Sequence, residues 1–150
     1  METIAETLIV SESGTGGTKH NPGKMETTAE LLEKVLADLK RTRAVQSSAI
    51  VSREGLLMAS NISGGVSAET FAAMSAAMLG AAESTTSELK MGAPEEVTIR
   101  LKEAELITIS AGPEALLTVV TNPGSKLGLL LVEMKKASGK IRKLLEGDHD

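Results

Sequence analysis

The sequence predicts an α+β fold, an α/β sandwich in which helices cover the faces of one five-stranded antiparallel sheet. Two observations lead to this class. Segments with the period of a helix occur near the start, in the middle and at the end of the chain. Short apolar or alternating segments lie between them, and their hairpin-length connections favour antiparallel neighbours. The predicted order is α-β-β-α-β-β-β-α.

The first helix is predicted to begin at Thr27. Thr27 and Glu30 have the spacing of a capping box, in which the Thr oxygen accepts from a helix N–H and the Glu bonds back to the cap. One apolar stripe follows at helical spacing: Leu32, Val35, Leu36 and Leu39. The preceding residues, 1–25, have no sustained period and contain much Gly, Ser and Thr. We therefore expect them to form a flexible tail.

The first two strands are predicted at residues 47–52 and 56–60. Arg53 and Gly55 lie in the turn between them, and Gly55 can adopt the positive φ that a tight hairpin requires. A loop that contains two consecutive glycines, residues 61–66, then leads to the second helix.

The central helix is predicted from an N-cap at Ser67 to about Met91, where Gly92 and Pro94 end it. Residues 67–83 hold seven Ala but only two charged residues, both Glu. Such a helix is apolar on more than one side and is commonly covered on two faces. Two interpretations remain open: an ordinary core helix, or a helix with one face covered by a partner molecule.

Three further strands are predicted at 97–102, 106–110 and 115–120, and residues 122–124 form a turn. The last helix is predicted from about Ser125 to Leu145. This helix carries six Lys or Arg residues against one Glu. A solvated face that suits the helix C-terminus is their ordinary role. Contact with an acidic partner or weak contact with a membrane surface stays open.

The composition excludes several kinds of site. The chain has no Cys, which excludes disulfides, thiol nucleophiles, Cys-ligated zinc and iron–sulfur clusters. Its two His, His20 and His149, lie near opposite ends, so no His-based triad or metal site is expected. One aromatic residue and a net charge of −4 argue against nucleic acid binding. We therefore expect no enzyme activity, no cofactor and no metal.

The chain also lacks the patterns of targeting and nucleotide binding. No run of 18 apolar residues is present, and the acidic N-terminus is unlike a secretory signal, so the expected location is cytoplasmic. Gly23 and Lys24 do not form a phosphate-binding loop, because Thr18 stands where that motif requires Gly.

Three segments resemble parts of the roadblock/dynein light chain superfamily. Residues 49–60 are similar to its first hairpin, 71–78 to its Ala- and Met-rich central helix, and 127–136 to the start of its last helix. The resemblance implies a domain over residues 26–146, followed by a short acidic tail, 147–150. It also implies that one central helix covers one face of the sheet and that two helices cover the other.

The resemblance further implies a homodimer. Members of the superfamily pair through the central helix and the third strand, so that two sheets join into one. The small residues of the central helix and the unprotected edge of strand 97–102 agree with this expectation. The residues expected at the interface are Phe71, Met74, Met78, Ala81, Val97, Ile99 and Leu101.

Superfamily members commonly act as scaffolds or regulators of Ras-like small GTPases or as dynein light chains. The single-domain bacterial gliding-motility regulators are the most similar type. The resemblance therefore implies a non-catalytic, homodimeric regulator or scaffold that binds a small GTPase and can modulate its GTP hydrolysis. Arg53 is the exposed candidate for an arginine finger, although we expect it to be a solvated turn residue.

A different class of function also fits the predicted architecture. A small-molecule-sensing module, or a general protein-interaction module, has a similar arrangement of sheet and helices. A sensing module needs a cavity with polar groups in its lining. The small residues of the central helix favour close packing over such a cavity.

Overall fold

The computed structural model describes residues 26–42, 44–122 and 126–147. The predicted order of elements is confirmed. The predicted tail, residues 1–25, lies outside the described residues, as do residues 148–150. The elements are α1 (Thr28–Lys40), β1 (Val45–Ser52), β2 (Leu57–Asn61), α2 (Ala68–Ser87), β3 (Val97–Arg100), β4 (Glu105–Ser110), β5 (Ala115–Thr121) and α3 (Leu127–Glu146).

The five strands form one antiparallel sheet in the order β2-β1-β5-β4-β3. The sheet consists of a hairpin, β1–β2, and a three-stranded meander, β3–β4–β5. Pairing of β1 with β5 joins these two parts, for example where Ile50 faces Leu117 and Ala49 faces Thr118. Strands β2 and β3 are consequently the two edges of the sheet.

The two faces of the sheet are covered unequally. Helices α1 and α3 pack on one face over a large core that includes Leu36, Ile50 and Met134. Helix α2 packs alone on the other face over a smaller core that includes Ala49, Val51 and Leu79. Successive residues of β1 therefore point to opposite helix layers, as the pleat of a strand requires. The expected distribution of one helix and two helices is confirmed.

The local signals at the helix and strand ends act as the sequence indicated. Thr27 Oγ1 accepts from the Glu30 N–H at 3.1 Å, and the Thr27 N–H donates to Glu30 Oε1 at 2.9 Å, which completes the capping box. Ser67 Oγ accepts from the Thr70 N–H at 3.2 Å at the start of α2. Gly55 has a φ of +94° in the β1–β2 turn.

Helix α2 ends at Ser87 rather than near Met91. The hydroxyls of Thr85 and Ser87 donate to carbonyl oxygens of the preceding turn, those of Ala81 and Ser84. These side-chain bonds compete with continued helix, and residues 88–90 form tighter turns with i to i−3 bonds. The end of the helix is therefore set by a run of Ser and Thr, before Gly92 is reached.

Strand β3 is also shorter than predicted, since it ends at Arg100 rather than at residue 102. The Leu101 N–H donates to the Ala104 carbonyl at 2.8 Å, which closes a tight turn into β4. Leu101 therefore lies in the β3–β4 turn and not in the strand.

Buried hydroxyls link α2 to the middle of the sheet. Ser75, Thr108 and Thr118 are all buried. The Ser75 hydroxyl donates to Thr118 Oγ1 at 3.4 Å, and the hydroxyls of Thr108 and Thr118 are 2.9 Å apart. Thr118 thus contacts both of the other hydroxyls and satisfies polar atoms that have no access to water.

We expect Thr118→Val to lower the free energy of unfolding by about 1–3 kcal/mol, because the hydroxyls of Ser75 and Thr108 lose their buried partner. Urea unfolding followed by circular dichroism measures the change. The matched control, Ser75→Ala with Thr108→Val and Thr118→Val, removes every hydroxyl of the group and should recover part of the loss. Equal stability of Thr118→Val and the natural chain would show that these bonds contribute nothing.

Candidate protein interaction surface

The outer side of helix α2 is exposed and uncharged. We call this surface the α2 face; it consists of Ala73, Met74, Ala77, Gly80, Ala81 and Ser84. Glu83 is the only charged residue between Glu69 and Glu88. From Ala73 to Ser84, the uncharged face therefore extends over roughly 17 Å of helix. A surface of this length without charge is unusual for the solvent side of a helix and is typical of a contact region.

Strand β3 continues the α2 face at one edge of the sheet. Val97 faces Thr108 across the β3–β4 pair, and the buried Thr108 lies on the side covered by α2. Val97 and Ile99 therefore point to the α2 side, where both are half-buried. On its outer side, β3 pairs with no strand among the described residues. Its backbone N–H and C=O groups are consequently available to another strand.

The structure brings most of the expected interface residues to one side of the sheet. Met74 is 62% exposed. Ala81 is also exposed, while Met78 and Ile99 are half-buried. These four residues are accessible at least in part. They can contact another molecule without rearrangement of the chain.

The other three expected interface residues, Phe71, Val97 and Leu101, are less suited to contact with a partner because of where they lie in the fold. Phe71 and Val97 are half-buried and pack against the smaller core, so that both serve the fold of the chain itself. Leu101 is 55% exposed but lies in the β3–β4 turn, beyond the end of the strand. The edge of β3 that is available for pairing is therefore shorter than the sequence indicated.

Sequence reasoning identified Ala81 but missed the other small residues of the α2 face, Ala73, Ala77, Gly80 and Ser84. Ala73, Ala77 and Ala81 are four positions apart, as are Gly80 and Ser84, so each set forms a ridge along one side of the helix. This spacing is visible in the sequence. It could have identified the exposed side of α2 once the large residues had been assigned to the core.

The interpretation of Arg53 as a solvated turn residue is wrong. Its side chain is only 26% exposed. Nη1 donates to both carboxylate oxygens of Glu83 at 2.9 Å. Nη2 donates to Ser110 Oγ at 2.7 Å and to the Gly112 carbonyl at 3.2 Å. The guanidinium thus ties the β1–β2 turn to α2 and to the β4–β5 turn, and it is not an exposed finger.

The Arg53 contacts also explain why the α2 face is uncharged. Glu83 is the only charged residue in the central part of α2, and its carboxylate bonds to Arg53 on the side of the helix nearest the hairpin. The ion pair neutralises this charge within the chain. The salt bridge and the apolar surface are therefore parts of one arrangement.

One small cleft lies beside the N-terminal end of α2. Its volume is about 150 Å³, and it is lined by Gln46, Ser47, Ile62, Ser63, Val66, Phe71 and Val120. Sites for small molecules usually measure about 300–1,000 Å³. The cleft is thus small for a sensing cavity, although its apolar lining lies next to Phe71.

Neither a candidate metal site nor a candidate membrane span occurs within residues 26–42, 44–122 and 126–147. In these ranges, no group of three or more His, Asp or Glu side chains is placed to hold a metal ion. No helix there is long and apolar enough to cross a membrane.

Comparison with protein families gives a match to the Roadblock/LC7 domain over residues 31–121. Among curated proteins, MJ0310 of Methanocaldococcus jannaschii is 37% identical over 112 residues, which cover 75% of this chain and 97% of that protein. MJ0714 of the same organism is 38% identical over 112 residues, which cover 75% of this chain and 94% of that protein.

Three bacterial proteins of known structure have a similar fold. MglB of Myxococcus xanthus has a TM-score of 0.76 at 18% identity, covering 85% of this chain and 96% of its own. The gliding protein MglB of Thermus thermophilus has a TM-score of 0.72 at 20% identity, covering 83% of this chain and 95% of its own. A Roadblock/LC7 domain of Streptomyces avermitilis has a TM-score of 0.71 at 21% identity, covering 76% and 97%.

We expect Arg53→Ala to lower the free energy of unfolding by about 1–3 kcal/mol, because Glu83 loses the partner of its carboxylate and two turns lose their link. Urea unfolding measures the effect, and a double-mutant cycle with Glu83→Gln isolates the ion pair. Arg100→Ala is the matched control, since the Arg100 side chain is exposed and bonds only to Glu105. Equal losses in the two Arg variants would contradict a structural role for Arg53.

Proposed function

The chain belongs to the Roadblock/LC7 domain family, and on that premise we propose that it is a homodimeric, non-catalytic regulator of a Ras-like small GTPase. The observation that carries the proposal is the uncharged α2 face beside the open edge of β3. Both features are ones that a second copy of the same chain can cover. The proposed place of action is the cytoplasm, where GTPases of this kind work.

The geometry of the α2 face suits a pair related by a two-fold axis. In such a pair the same surface serves both copies, so α2 packs against α2 and β3 pairs with β3 in antiparallel orientation. Ala73, Ala77 and Gly80 allow the two helix backbones to approach closely. Met74 and Met78 are flexible enough to fill the space that remains beside these small residues. The two five-stranded sheets would then join into one continuous sheet.

The regulatory part of the proposal draws on the family and on the similarity of fold to the gliding proteins of Myxococcus and Thermus. The proposed mechanism does not use Arg53 as a finger, because its guanidinium is already bonded to Glu83, Ser110 and Gly112. An effect on hydrolysis would instead come from ordering the catalytic segments of the GTPase itself.

We expect the natural chain to be a dimer at micromolar concentration, with twice the 15.6 kDa mass of one chain in light scattering. Met74→Lys and Met78→Lys should each weaken the dimer at least about 100-fold, because each places an unpaired charge at the proposed helix pair. Met74 is the safer position, since its exposed side chain contributes little to the core of its own chain.

Val132→Lys is the matched control for the dimer experiment. Val132 is 49% exposed on α3, on the opposite side of the sheet, so this variant should remain a dimer. Circular dichroism shows whether each variant is folded. A monomeric natural chain, or folded Met74→Lys and Met78→Lys variants that dimerise normally, would refute the proposed interface.

We expect the purified protein to change the rate of GTP hydrolysis by a Ras-like GTPase from the same organism, as measured by phosphate release. Folded Arg53→Lys should retain the effect, because the proposed mechanism does not insert this side chain into the GTPase. Met74→Lys should lose the effect if the GTPase recognises the dimer, while Val132→Lys keeps it. An unchanged rate with every such GTPase of that organism, together with an intact dimer, would support a different regulatory role.

A further inference from the structure

A second surface lies between α1 and α3, on the side of the sheet opposite α2. We call it the α1/α3 groove. Its floor is apolar and consists of Leu31, Val35 and Leu144, and its rim carries Lys34, Lys140 and Lys143. Its one acidic residue, Asp38, lies 3.9 Å from Arg41 Nη1. The groove therefore combines an apolar floor with a positively charged rim.

The basic rim can bind additional negative charge. Lys140 and Lys143 are exposed, and neither forms an ion pair with a carboxylate of the described residues. Lys34 does form an ion pair, with Glu26. A ligand for the groove should therefore be apolar on one side and acidic on the other.

The Lys34–Glu26 pair shows how the chain approaches α1. The two residues are eight positions apart, on opposite sides of the Thr27 cap. Their contact places the Glu26 carboxylate beside the first two turns of α1, on the side that carries Lys34. Since Lys34 is on the rim of the groove, Glu26, the first described residue, lies close to the groove.

The start of the sequence has the complementary chemistry. Ile4, Leu8, Ile9 and Val10 are apolar, and Glu2, Glu6 and Glu12 are interspersed with them, while no Lys or Arg occurs before Lys19. Ile4 and Leu8 are four positions apart, the spacing that aligns two side chains on one side of a helix. This segment is thus both apolar and acidic, as the α1/α3 groove requires.

The intervening chain is long enough to allow contact. Residues 11–25 would span roughly 50 Å if extended and about 20 Å as a Gly-rich coil. The groove extends about 10 Å along α1, from Leu31 to Asp38. A tether of this length keeps the segment at an effective concentration on the order of millimolar. Even a weak interaction would then keep the segment bound in the groove in most molecules.

We propose that residues 2–10 dock into the α1/α3 groove of the same chain, with the apolar side chains on Leu31, Val35 and Leu144 and the carboxylates near Lys140 and Lys143. The docked segment would place carboxylates beside the two rim lysines that have no ion pair among the described residues. The proposal is independent of the dimer, since the α2 face lies on the other side of the sheet.

Paramagnetic broadening in nuclear magnetic resonance tests this contact in the full chain. The natural chain has no Cys, so Thr7→Cys provides a single attachment site for a nitroxide label without other changes. We expect loss of amide signals around Leu31, Lys140 and Leu144, with little loss along α2. Lys140→Glu with Lys143→Glu should restore the lost signals, and adding Glu2→Lys with Glu6→Lys should bring the loss back.

The controls separate this docking from its alternatives. Lys90→Glu with Lys102→Glu reverses two exposed charges outside the groove and should leave the broadening unchanged. A mixture of nitroxide-labelled chains and isotope-labelled chains without nitroxide should show no loss, because the contact is within one chain. Loss in that mixture, loss centred on α2, or no local loss would each overturn the proposal, as would failure of the Glu2 and Glu6 reversals to compensate.

Discussion

The pairing of β1 with β5 is the contact on which the rest of the structure depends. It joins a hairpin and a meander that are far apart in the chain, with Val51 opposite Leu116 and Ile50 opposite Leu117. Without it, the two-stranded hairpin would be at best marginally stable by itself. With it, the pleat sends Val51 toward α2 and Ile50 toward α1 and α3. The same pairing places β3 at the edge of the sheet, where the proposed dimer would extend it.

The two sides of the sheet differ in the size of the residues that cover them. Large side chains fill the layer of α1 and α3, whereas α2 covers its side with Ala72, Ser75 and Leu79. A helix of small residues lies close to the sheet and leaves its own outer side equally smooth. The Arg53–Glu83 ion pair completes this arrangement, because it removes the one charge that would otherwise interrupt the α2 face. Stability of the chain and the capacity to bind a second chain thus have a common origin in α2.

Most of the fold could be predicted because its signals are local. The Thr27–Glu30 capping box, the positive φ of Gly55 and the alternating strand residues each act within a few positions of the chain. The role of Arg53 could not be predicted in this way. Its partners Glu83, Ser110 and Gly112 lie 30, 57 and 59 positions away and meet it only after the sheet has formed. A polar residue in a turn is usually solvated, so the local pattern favoured the wrong interpretation.

The candidate surface was predictable in part for the same reason. The lack of charge in α2 is a property of the local sequence, and it indicated a covered face before the fold was known. The accessible fraction of each residue depends on neighbours that are distant in the sequence. Phe71 and Val97 resemble Met74 and Ile99 in chemistry, yet the first two pack against the smaller core beneath α2. Which members of an apolar helix contact a partner is therefore decided by the sheet beneath them.

On each side of the sheet, charged residues have candidate partners of opposite sign within the same chain. The chain has a net charge of −4, yet the basic residues of α3 outnumber its acidic ones. On the α2 side, Arg53 neutralises Glu83 within the chain and leaves a surface suited to an apolar partner. On the other side, Lys140 and Lys143 form no ion pair with a described carboxylate, while the sequence before residue 13 contains three Glu and no Lys or Arg. Docking of the acidic segment in the α1/α3 groove would leave both sides of the sheet without strong local charge.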